Sequence, residues 1–273
     1  MKKSLLIFSL FLLYACTSVP LTGRKQFAPM HSSQMLALGQ QSYAQVISES
    51  ELSNSSKYKN RVRKVGNGMS IAIEQFFIEK NQADVVDHFE WEFNVIESDV
   101  VNAWCMPGGK IAFYEGIMPI CKNRDGVAVV MGHEIAHAIA QHANERLGQQ
   151  LAVQLGGLTL SAALQNKPRI TQQLAMTAFG IGAQVGYVLP YSRMHESEAD
   201  EMGLYFMALA GYDLYEAPKF WRRMLKNSKN RQRPPRLLST HPMPEQRIKR
   251  LEALIPKVLR DIENIEQSGS IGH

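Results

Sequence analysis

The segment His133-Glu134-Ile135-Ala136-His137 has the residue types and spacing of a metal-dependent hydrolytic site. On a helix, residues four positions apart lie one above the other, so both imidazoles leave the same face and can bind one tetrahedral Zn²⁺ at about 2.0–2.1 Å. Glu134 then lies beside the metal as general base toward a water whose pKa zinc lowers to about 7. The segment predicts one zinc ion per chain and hydrolysis at a carbonyl polarised by that zinc.

The alternative for this segment is a solvated, charged helix face without metal. The neighbouring residues argue against it, because Ile135, Ile139 and the apolar run 127–131 predict a largely buried helix. Two histidines and a glutamate rarely lie unpaired in such surroundings. His142 lies about 140° from His137 on a continuous helix, so we expect it on the surface or on a second face and not among the ligands.

A zinc peptidase needs a third protein ligand and an open position for water. The segment 195–200 offers the candidates. If it is helical, Glu196 and Asp200 share a face, whereas Glu198 lies about 200° from Glu196. Glu196 as ligand, with Asp200 accepting the N–H of a ligand histidine, gives both carboxylates a role. His195 is the rival ligand, but that choice leaves Glu196 and Asp200 without a joint role.

The elements that must position these residues are mostly helical. Apolar residues recur at helical spacing over long segments, and three short segments have the pattern of strands. The predicted helices are 32–50, 57–80, 125–147, 195–210 and 244–265, and the predicted strands are 89–96, 100–104 and 111–114. A Pro-Gly-Gly turn joins the last two strands. We expect an α+β, mostly helical domain with a small sheet.

Two apolar segments, 151–164 and 172–189, separate the candidate ligands in the sequence and contain several glycines. Neither reaches the roughly 20 residues of a helix that spans a bilayer. We expect buried helices or helices that form a lid over the cleft. Contact with a membrane surface is the less favoured alternative.

The first residues resemble an export signal. Lys2 and Lys3 precede a short apolar run, and the segment 13–16 resembles the lipobox of bacterial lipoproteins. The resemblance implies a signal peptide over 1–15 and a diacylated Cys16 that anchors the chain to a membrane. An ordinary secreted protein is the alternative. Thr17 resembles the sorting signal for the outer membrane, which implies the periplasmic face of a Gram-negative outer membrane, with inner-membrane anchoring less favoured.

The domain boundaries, charge and remaining cysteines complete the prediction. A tether over 16–30 leads into the metallopeptidase domain, 31–265, and a flexible tail, 266–273. The net charge of +5 falls to +3 without Lys2 and Lys3, which is too small an excess to indicate nucleic-acid binding. Cys105 and Cys121 either pair in an oxidising compartment or stay free. The sequence gives no prediction of an oligomer.

Four motifs in order resemble one family of peptidases. They are the segment 102–110, the HEIAH segment, the ESEAD segment at 196–200, and Leu238-Ser-Thr-His241-Pro followed by Arg247. This order is similar to the HExxH zinc metallopeptidases of the gluzincin type that include CAAX prenyl proteases, HtpX-type heat-shock proteases and periplasmic lipoprotein metalloproteases. The resemblance implies a zincin-like domain in which the edge strand of a small sheet borders the active-site cleft.

The resemblance also implies a role for each matching residue. His133, His137 and Glu196 would bind zinc, Glu134 would be the general base, Asp200 would accept a ligand N–H, and Arg247 would support His241, while Asn102, Ala103, Gly108 and Gly109 would bind the substrate as an added β-strand. In this family a histidine such as His241 either stabilises the tetrahedral intermediate or occupies the open metal position in a self-inhibited state.

The predicted function is that of a zinc metalloendopeptidase of the bacterial envelope that degrades misfolded or misassembled envelope proteins. The first alternative is a chaperone or assembly factor for outer-membrane proteins, with self-inhibited or vestigial proteolysis. The second is a lipoprotein in which zinc is structural, but structural zinc sites are usually closed and rich in cysteine.

Overall fold

The fold is known from a computed structural model that describes residues 16–229, 234–243 and 245–267. The predicted signal peptide, most of the loop at 231–235 and the tail from 268 lie outside these ranges. The strands are β1 (Cys16–Ser18), β2 (Lys25–Phe27), β3 (Glu92–Ile96), β4 (Ala103–Met106) and β5 (Lys110–Tyr114). The helices are α1 (Ser32–Ser48), α2 (Ser56–Glu79), α3 (Met118–Cys121), α4 (Arg124–Ile139), α5 (His142–Leu164), α6 (Arg169–Ala183), α7 (Leu189–Leu209), α8 (Glu216–Lys229), α9 (Arg236–Thr240) and α10 (Glu245–Gln267).

Side-chain caps fix where three of the helices begin. His31 and Gln34 form a capping box at α1, Ser55 accepts a backbone N–H at the start of α2, and Asn123 accepts the N–H of Gly126 in α4. Each cap pairs backbone donors that a helix start leaves free. The first two helices therefore begin within a residue of the predicted positions.

A three-stranded sheet with the order β3-β5-β4 packs beside α2 and α4. β3 is parallel to β5, and β4 is antiparallel to β5 across the turn at Gly108 and Gly109. Both glycines have positive φ, and a Cβ on Gly109 would lie 2.7 Å from the ring of Trp91. β4 is an edge strand of this sheet, and it contacts the helix that carries the HEIAH segment. The predicted fold class is confirmed.

The prediction of one helix from Asp125 to Leu147 is wrong. α4 ends at Ile139, and Gln141 has a left-handed backbone with φ 54°, after which α5 begins. A left-handed residue stops the helical repeat and redirects the chain. The angular position expected for His142 on a continuous helix therefore does not apply.

The central contact of the domain is between α4 and α7. The two helices approach closely at Gly132 and Gly203, where a Cβ on Gly132 would lie 2.9 Å from the carbonyl oxygen of Gly203. Gly132 precedes the first histidine of the HEIAH segment. Small residues at this crossing allow side chains from both helices to converge on one point.

α5 and α6 form a helical hairpin whose distal part stands away from the core. No residue from 150 to 194 is buried. The expectation of buried helices is therefore wrong for this segment. Its only charged side chains before Arg193 are Lys167 and Arg169 near the tip, and its exposed large apolar residues are Leu151, Leu155, Leu158, Ile170, Leu174, Ile181, Val185 and Leu189. Among the described residues, no helix is both long enough and apolar enough to cross a bilayer.

The segment after Cys16 is an antiparallel hairpin of β1 and β2, and Val19 in its turn is buried in the core. Arg24 of the same turn reaches the domain and forms ion pairs with Glu145 and Glu198. The chain is therefore already packed against the domain over the first part of the stretch expected to be a tether.

Cys105 and Cys121 are both free. Burial raises the pKa of the Cys121 thiol to about 12, so this thiol stays protonated. Of the two alternatives for these cysteines, the structure has the unpaired one.

Candidate metal centre

Two helices and one loop bring four side chains to a single buried point. α4 supplies His133 and His137, α7 supplies Glu196, and the residue after α9 supplies His241. One ligand atom from each of the four lies within 4.8 Å of the others. The geometry thus brings together the three predicted zinc ligands and places His241 beside them.

The spacing of these atoms fits tetrahedral zinc. With metal–ligand bonds of about 2.0–2.1 Å, the ligand atoms of a tetrahedron lie about 3.3 Å apart. Nε2 of His133 lies 3.2 Å from Nε2 of His137, 3.4 Å from Oε2 of Glu196 and 3.3 Å from Nδ1 of His241. Nε2 of His137 lies 3.4 Å from Oε1 of Glu196. Three imidazoles and one carboxylate are a donor set that zinc accepts.

Burial and charge set the protonation of these groups. Burial lowers the pKa of His133, but the carboxylates of Asp200 and Glu196 outweigh it and raise the pKa to about 9, so zinc binding there displaces a proton. Burial holds the pKa of His137 well below its usual value, and its ring is neutral. Burial alone would raise the pKa of Glu196, but the surrounding histidines hold it well below its usual range, so this carboxylate is charged.

Glu134 lies next to the ligand cluster with an unpaired oxygen. Its Oε1 is buried and has no hydrogen-bond partner within the described part of the chain, and Nε2 of His241 lies 3.5 Å from it. Burial raises the pKa of Glu134, which makes it a stronger base than an exposed carboxylate. A buried oxygen without a partner is costly unless it meets a water or a substrate.

Asp200 and Arg247 contact two of the candidate ligands, His133 and Glu196. Oδ1 of Asp200 lies 3.2 Å from Nδ1 of His133, on the side of the ring opposite the cluster. The guanidinium of Arg247 donates two hydrogen bonds of 2.8 Å to Asp200, one of 3.0 Å to Glu196 and one to the carbonyl of Pro242. Arg247 thus joins both carboxylates to the loop that carries His241, and its link to that histidine runs through the backbone.

Sequence reasoning missed a second group of buried residues beyond His137. His142 is fully buried, and its Nδ1 lies 2.8 Å from Nδ1 of His137. Burial lowers the pKa of His142 to about 4, so its ring is neutral. The interpretation of His142 as a surface histidine is wrong because the break at Gln141 turns it inward. His195, the rival ligand, is also buried and binds Glu145 with its Nε2 at 2.8 Å, away from the cluster.

The predicted substrate strand lies near this site, because Cys105 of β4 and His137 line one cavity. The carbonyl of Asn102 accepts the N–H of Tyr114, so the backbone of Asn102 faces β5. In an antiparallel pair the next residue faces away from its partner, which directs the N–H and C=O groups of Ala103 and Cys105 to the free edge. Gly108 and Gly109 form the turn, and their carbonyls accept N–H groups of residues 90 and 92 on the side of β3.

Known proteins that resemble the chain are metalloproteases. The mitochondrial metalloendopeptidase OMA1 of Schizosaccharomyces pombe is 29% identical over 239 residues, which are 88% of this chain and 66% of that protein. OMA1 of Saccharomyces cerevisiae is 33% identical over 205 residues, which are 69% and 56%. The beta-barrel assembly-enhancing protease of Escherichia coli is 28% identical over 182 residues, which are 64% and 37%. The chain thus spans between about a third and two thirds of these relatives.

These matches contradict the location predicted from the first residues. The OMA1 relatives, which cover up to 93% of the chain, are mitochondrial proteins, so the prediction of the periplasmic face of a bacterial outer membrane is wrong. A positive start followed by a short apolar run is common to several kinds of targeting segment, and one cysteine after it does not identify the compartment. The predicted lipid on Cys16, the first residue of β1, stays a prediction.

A family match covers the whole metal centre. Residues 71–255, about two thirds of the chain, match Peptidase family M48. This range contains the HEIAH helix, Glu196, His241 and Arg247, and it begins well after the N-terminal hairpin. The match confirms zinc as the cofactor and a zinc metalloendopeptidase as the class of enzyme. The chain belongs to Peptidase family M48.

Proposed function

We propose that this chain is an endopeptidase that cleaves unfolded or misassembled proteins, which it holds as an added strand on β4. The observation that carries the proposal is the edge of β4 with which no other strand of the described residues pairs, together with a buried donor set of tetrahedral spacing and a glutamate oxygen without a hydrogen-bond partner in the described residues. An added strand pairs through backbone groups, so it gives affinity with little sequence preference. Only a chain that is locally unfolded can present such a strand.

The chemistry divides between the metal and the protein. His133, His137 and Glu196 would hold zinc, which when bound lowers the pKa of a water and polarises the scissile carbonyl. Glu134 takes a proton from the attacking water on its free Oε1 and returns it to the nitrogen of the leaving amine. Asp200 and Arg247 keep the ligand carboxylate and imidazole in place. β4 holds the scissile bond near the metal.

The exposed apolar surface of the α5–α6 hairpin is a second reason to propose an unfolded protein as the substrate. Its two ends adjoin the site, because α5 begins at His142 and α7 reaches Glu196 seven residues after Leu189. Leu189 also lines a cavity of about 650 Å³ together with Glu196 and Arg247. Eight large apolar side chains exposed between residues 151 and 189 form a surface that can bind other apolar surface. Unfolded proteins offer such surface, and native proteins mostly bury it.

The test compares two states of one substrate. We expect the chain to cleave reduced, carboxymethylated lysozyme and to leave native, disulfide-bonded lysozyme intact, because only the unfolded form supplies an extended strand. Fragments are followed by gel electrophoresis and mass spectrometry, and 1,10-phenanthroline should stop cleavage. Equal cleavage of both forms would contradict the proposal, and so would cleavage that survives removal of the metal.

Strand addition also predicts an alternating pattern in a short peptide substrate. N-methylation of single amides should lower kcat/KM about two- to tenfold at every second residue on one side of the scissile bond, and much less at the residues between. The reason is that only alternate amides face Ala103 and Cys105. Steady-state kinetics on the methylated series measures the pattern. A uniform loss, or none, would show that β4 does not pair with the substrate.

His241 favours a second candidate function, a folding assistant that binds unfolded strands and rarely cleaves them. Nδ1 of His241 lies 3.0 Å from Oε1 of Glu196 and 3.3 Å from Nε2 of His133, which is the place of a fourth ligand. Four protein ligands leave no open position for water. In this arrangement β4 can still bind a strand while hydrolysis is blocked.

A further inference from the structure

A buried chain of side chains runs from His137 to the N-terminal hairpin of β1 and β2. We propose that His142 and Glu198, held by Arg24 of that hairpin, are positioning residues that keep the ring of His137 in the tautomer and orientation that binds zinc. The proposal rests on the assignment of His137 as a ligand through Nε2, and it adds a part of the site that lies outside the three ligands and the general base.

The contacts form a continuous line. Nδ1 of His137 lies 2.8 Å from Nδ1 of His142, and Nε2 of His142 lies 3.0 Å from Oε2 of Glu198. Arg24 donates to the same Glu198 oxygen from Nε at 2.9 Å, and Thr22 donates to the other oxygen. The ring of His142 stacks on His195 with 4.2 Å between centroids, which fixes its plane.

The hydrogens have one consistent assignment along this line. Glu198 is a carboxylate and only accepts, so Nε2 of His142 carries the hydrogen and its Nδ1 is an acceptor. That acceptor faces Nδ1 of His137, which must therefore carry its hydrogen there. The Nε2 lone pair of His137 is then free and points toward His133 and Glu196, where the metal belongs. A ligand histidine needs this tautomer.

Each of the two ligand histidines is thus linked to a carboxylate that an arginine holds, directly for His133 and through a second histidine for His137. His133 has Asp200 directly behind it, and Arg247 holds that carboxylate. His137 has a carboxylate one histidine further away, and Arg24 holds that one. A neutral histidine between ligand and carboxylate fixes the tautomer but transmits less negative charge than a direct carboxylate would.

The outer end of this line is not part of the family match. Arg24 and Thr22 lie in the turn of the N-terminal hairpin, and the match to family M48 begins at residue 71. Arg24 also donates hydrogen bonds of 2.9 and 2.7 Å to Glu145, which in turn binds His195. The hairpin therefore closes the buried cluster from outside, and the zinc site of this chain depends on residues that precede the peptidase core.

The test uses two variants that distinguish the roles of Nδ1 and Nε2 of His142. In His142→Asn the amide oxygen takes the place of Nδ1 and still accepts from His137. In His142→Gln the amide reaches the place of Nε2 and Glu198 but leaves the His137 N–H without an acceptor. We expect zinc release to a chromophoric chelator to be about 10–100-fold faster in the Gln variant and within about threefold of wild type in the Asn variant.

The cobalt-substituted full-length proteins give a readout independent of activity. The visible d–d spectrum should change in His142→Gln and stay close to wild type in His142→Asn, with circular dichroism checking the fold of each. Equal release rates in wild type and His142→Gln overturn the proposal, and so do equally fast rates in both variants. Zinc retained at full stoichiometry in His137→Ala would instead show that the ligand assignment is wrong.

A second pair of variants tests the part of this line that lies in the N-terminal hairpin. Arg24→Gln removes the charge that holds Glu198, whereas Lys25→Gln removes the same charge from the neighbouring exposed residue, whose ammonium contacts only Ser18 in the described structure. We expect zinc release about tenfold faster in Arg24→Gln and unchanged in Lys25→Gln. The same rate in both variants would show that the hairpin does not act on the metal site, and this test does not depend on the folding of the His142 variants.

Discussion

Replacement of Glu134 by glutamine is expected to lower kcat/KM for an unfolded protein by about 10²–10⁴-fold while each chain keeps one zinc ion. The amide has nearly the same shape as the carboxylate but cannot take a proton from water on the oxygen that the structure leaves unpaired. Glu134 is not among the four side chains that could hold a metal ion, so we expect zinc to bind without its charge. Fragment release and metal analysis on the same samples measure both quantities.

The control for this variant is Glu263→Gln, which makes the same chemical change at an exposed position of α10. It should leave both activity and zinc content unchanged. Loss of zinc in Glu134→Gln would show that the carboxylate supports the metal site. Full activity together with full zinc content would rule out Glu134 as the general base.

The ligand geometry was predictable because it depends on local repeats. Two histidines four residues apart share a helix face wherever the helix lies, and Glu196 and Asp200 share a face for the same reason. The apolar neighbours of the HEIAH segment predicted burial of α4, and every residue of that segment is buried. Spacing within one helix is therefore enough to predict which side chains point the same way.

The partners of His137 were not predictable from spacing. One residue with positive φ, Gln141, ends α4 and turns His142 inward, and no glycine or proline marks that position. The helical wheel placed Glu198 away from Glu196, which is correct, but it did not show that this opposite face is also buried and meets Arg24 from a remote hairpin. Contacts between distant segments come from the tertiary fold, which periodicity does not encode.

The apolar segments between the motifs show what composition alone cannot predict. Composition predicted burial, because apolar helices in a globular domain usually pack in the core. In the structure α5 and α6 pack mainly on each other, and many of their apolar side chains reach solvent. Composition indicates that such a surface has a partner but does not identify the partner. The proposal of an unfolded substrate therefore depends on the position of this apolar surface, whose last residue, Leu189, lines a cavity together with Glu196 and Arg247.

His241→Ala is expected to raise kcat/KM for an unfolded substrate by about tenfold or more and to keep most of the zinc. In the structure this histidine occupies the place of a fourth ligand, so water or a scissile carbonyl can enter only after it leaves. A minor open state is typically populated at about 10% or less, and removal of the imidazole makes it the only state. Initial rates with carboxymethylated lysozyme, corrected for zinc content, measure the gain.

The direction of the change distinguishes the two roles that the family resemblance left open for His241. A histidine that stabilises the tetrahedral intermediate would make the alanine variant slower at the same zinc content, whereas an inhibitory ligand makes it faster. Thr240→Ala is the matched control, because Thr240 is the exposed last residue of α9, directly before His241, and within the described residues its side chain bonds only carbonyls of its own helix. The double variant with Glu134→Gln should be inactive, since any gain must come from this site. Because Arg247 also binds the carbonyl of Pro242, the open state requires this loop to move relative to a guanidinium that keeps Glu196 and Asp200 in place.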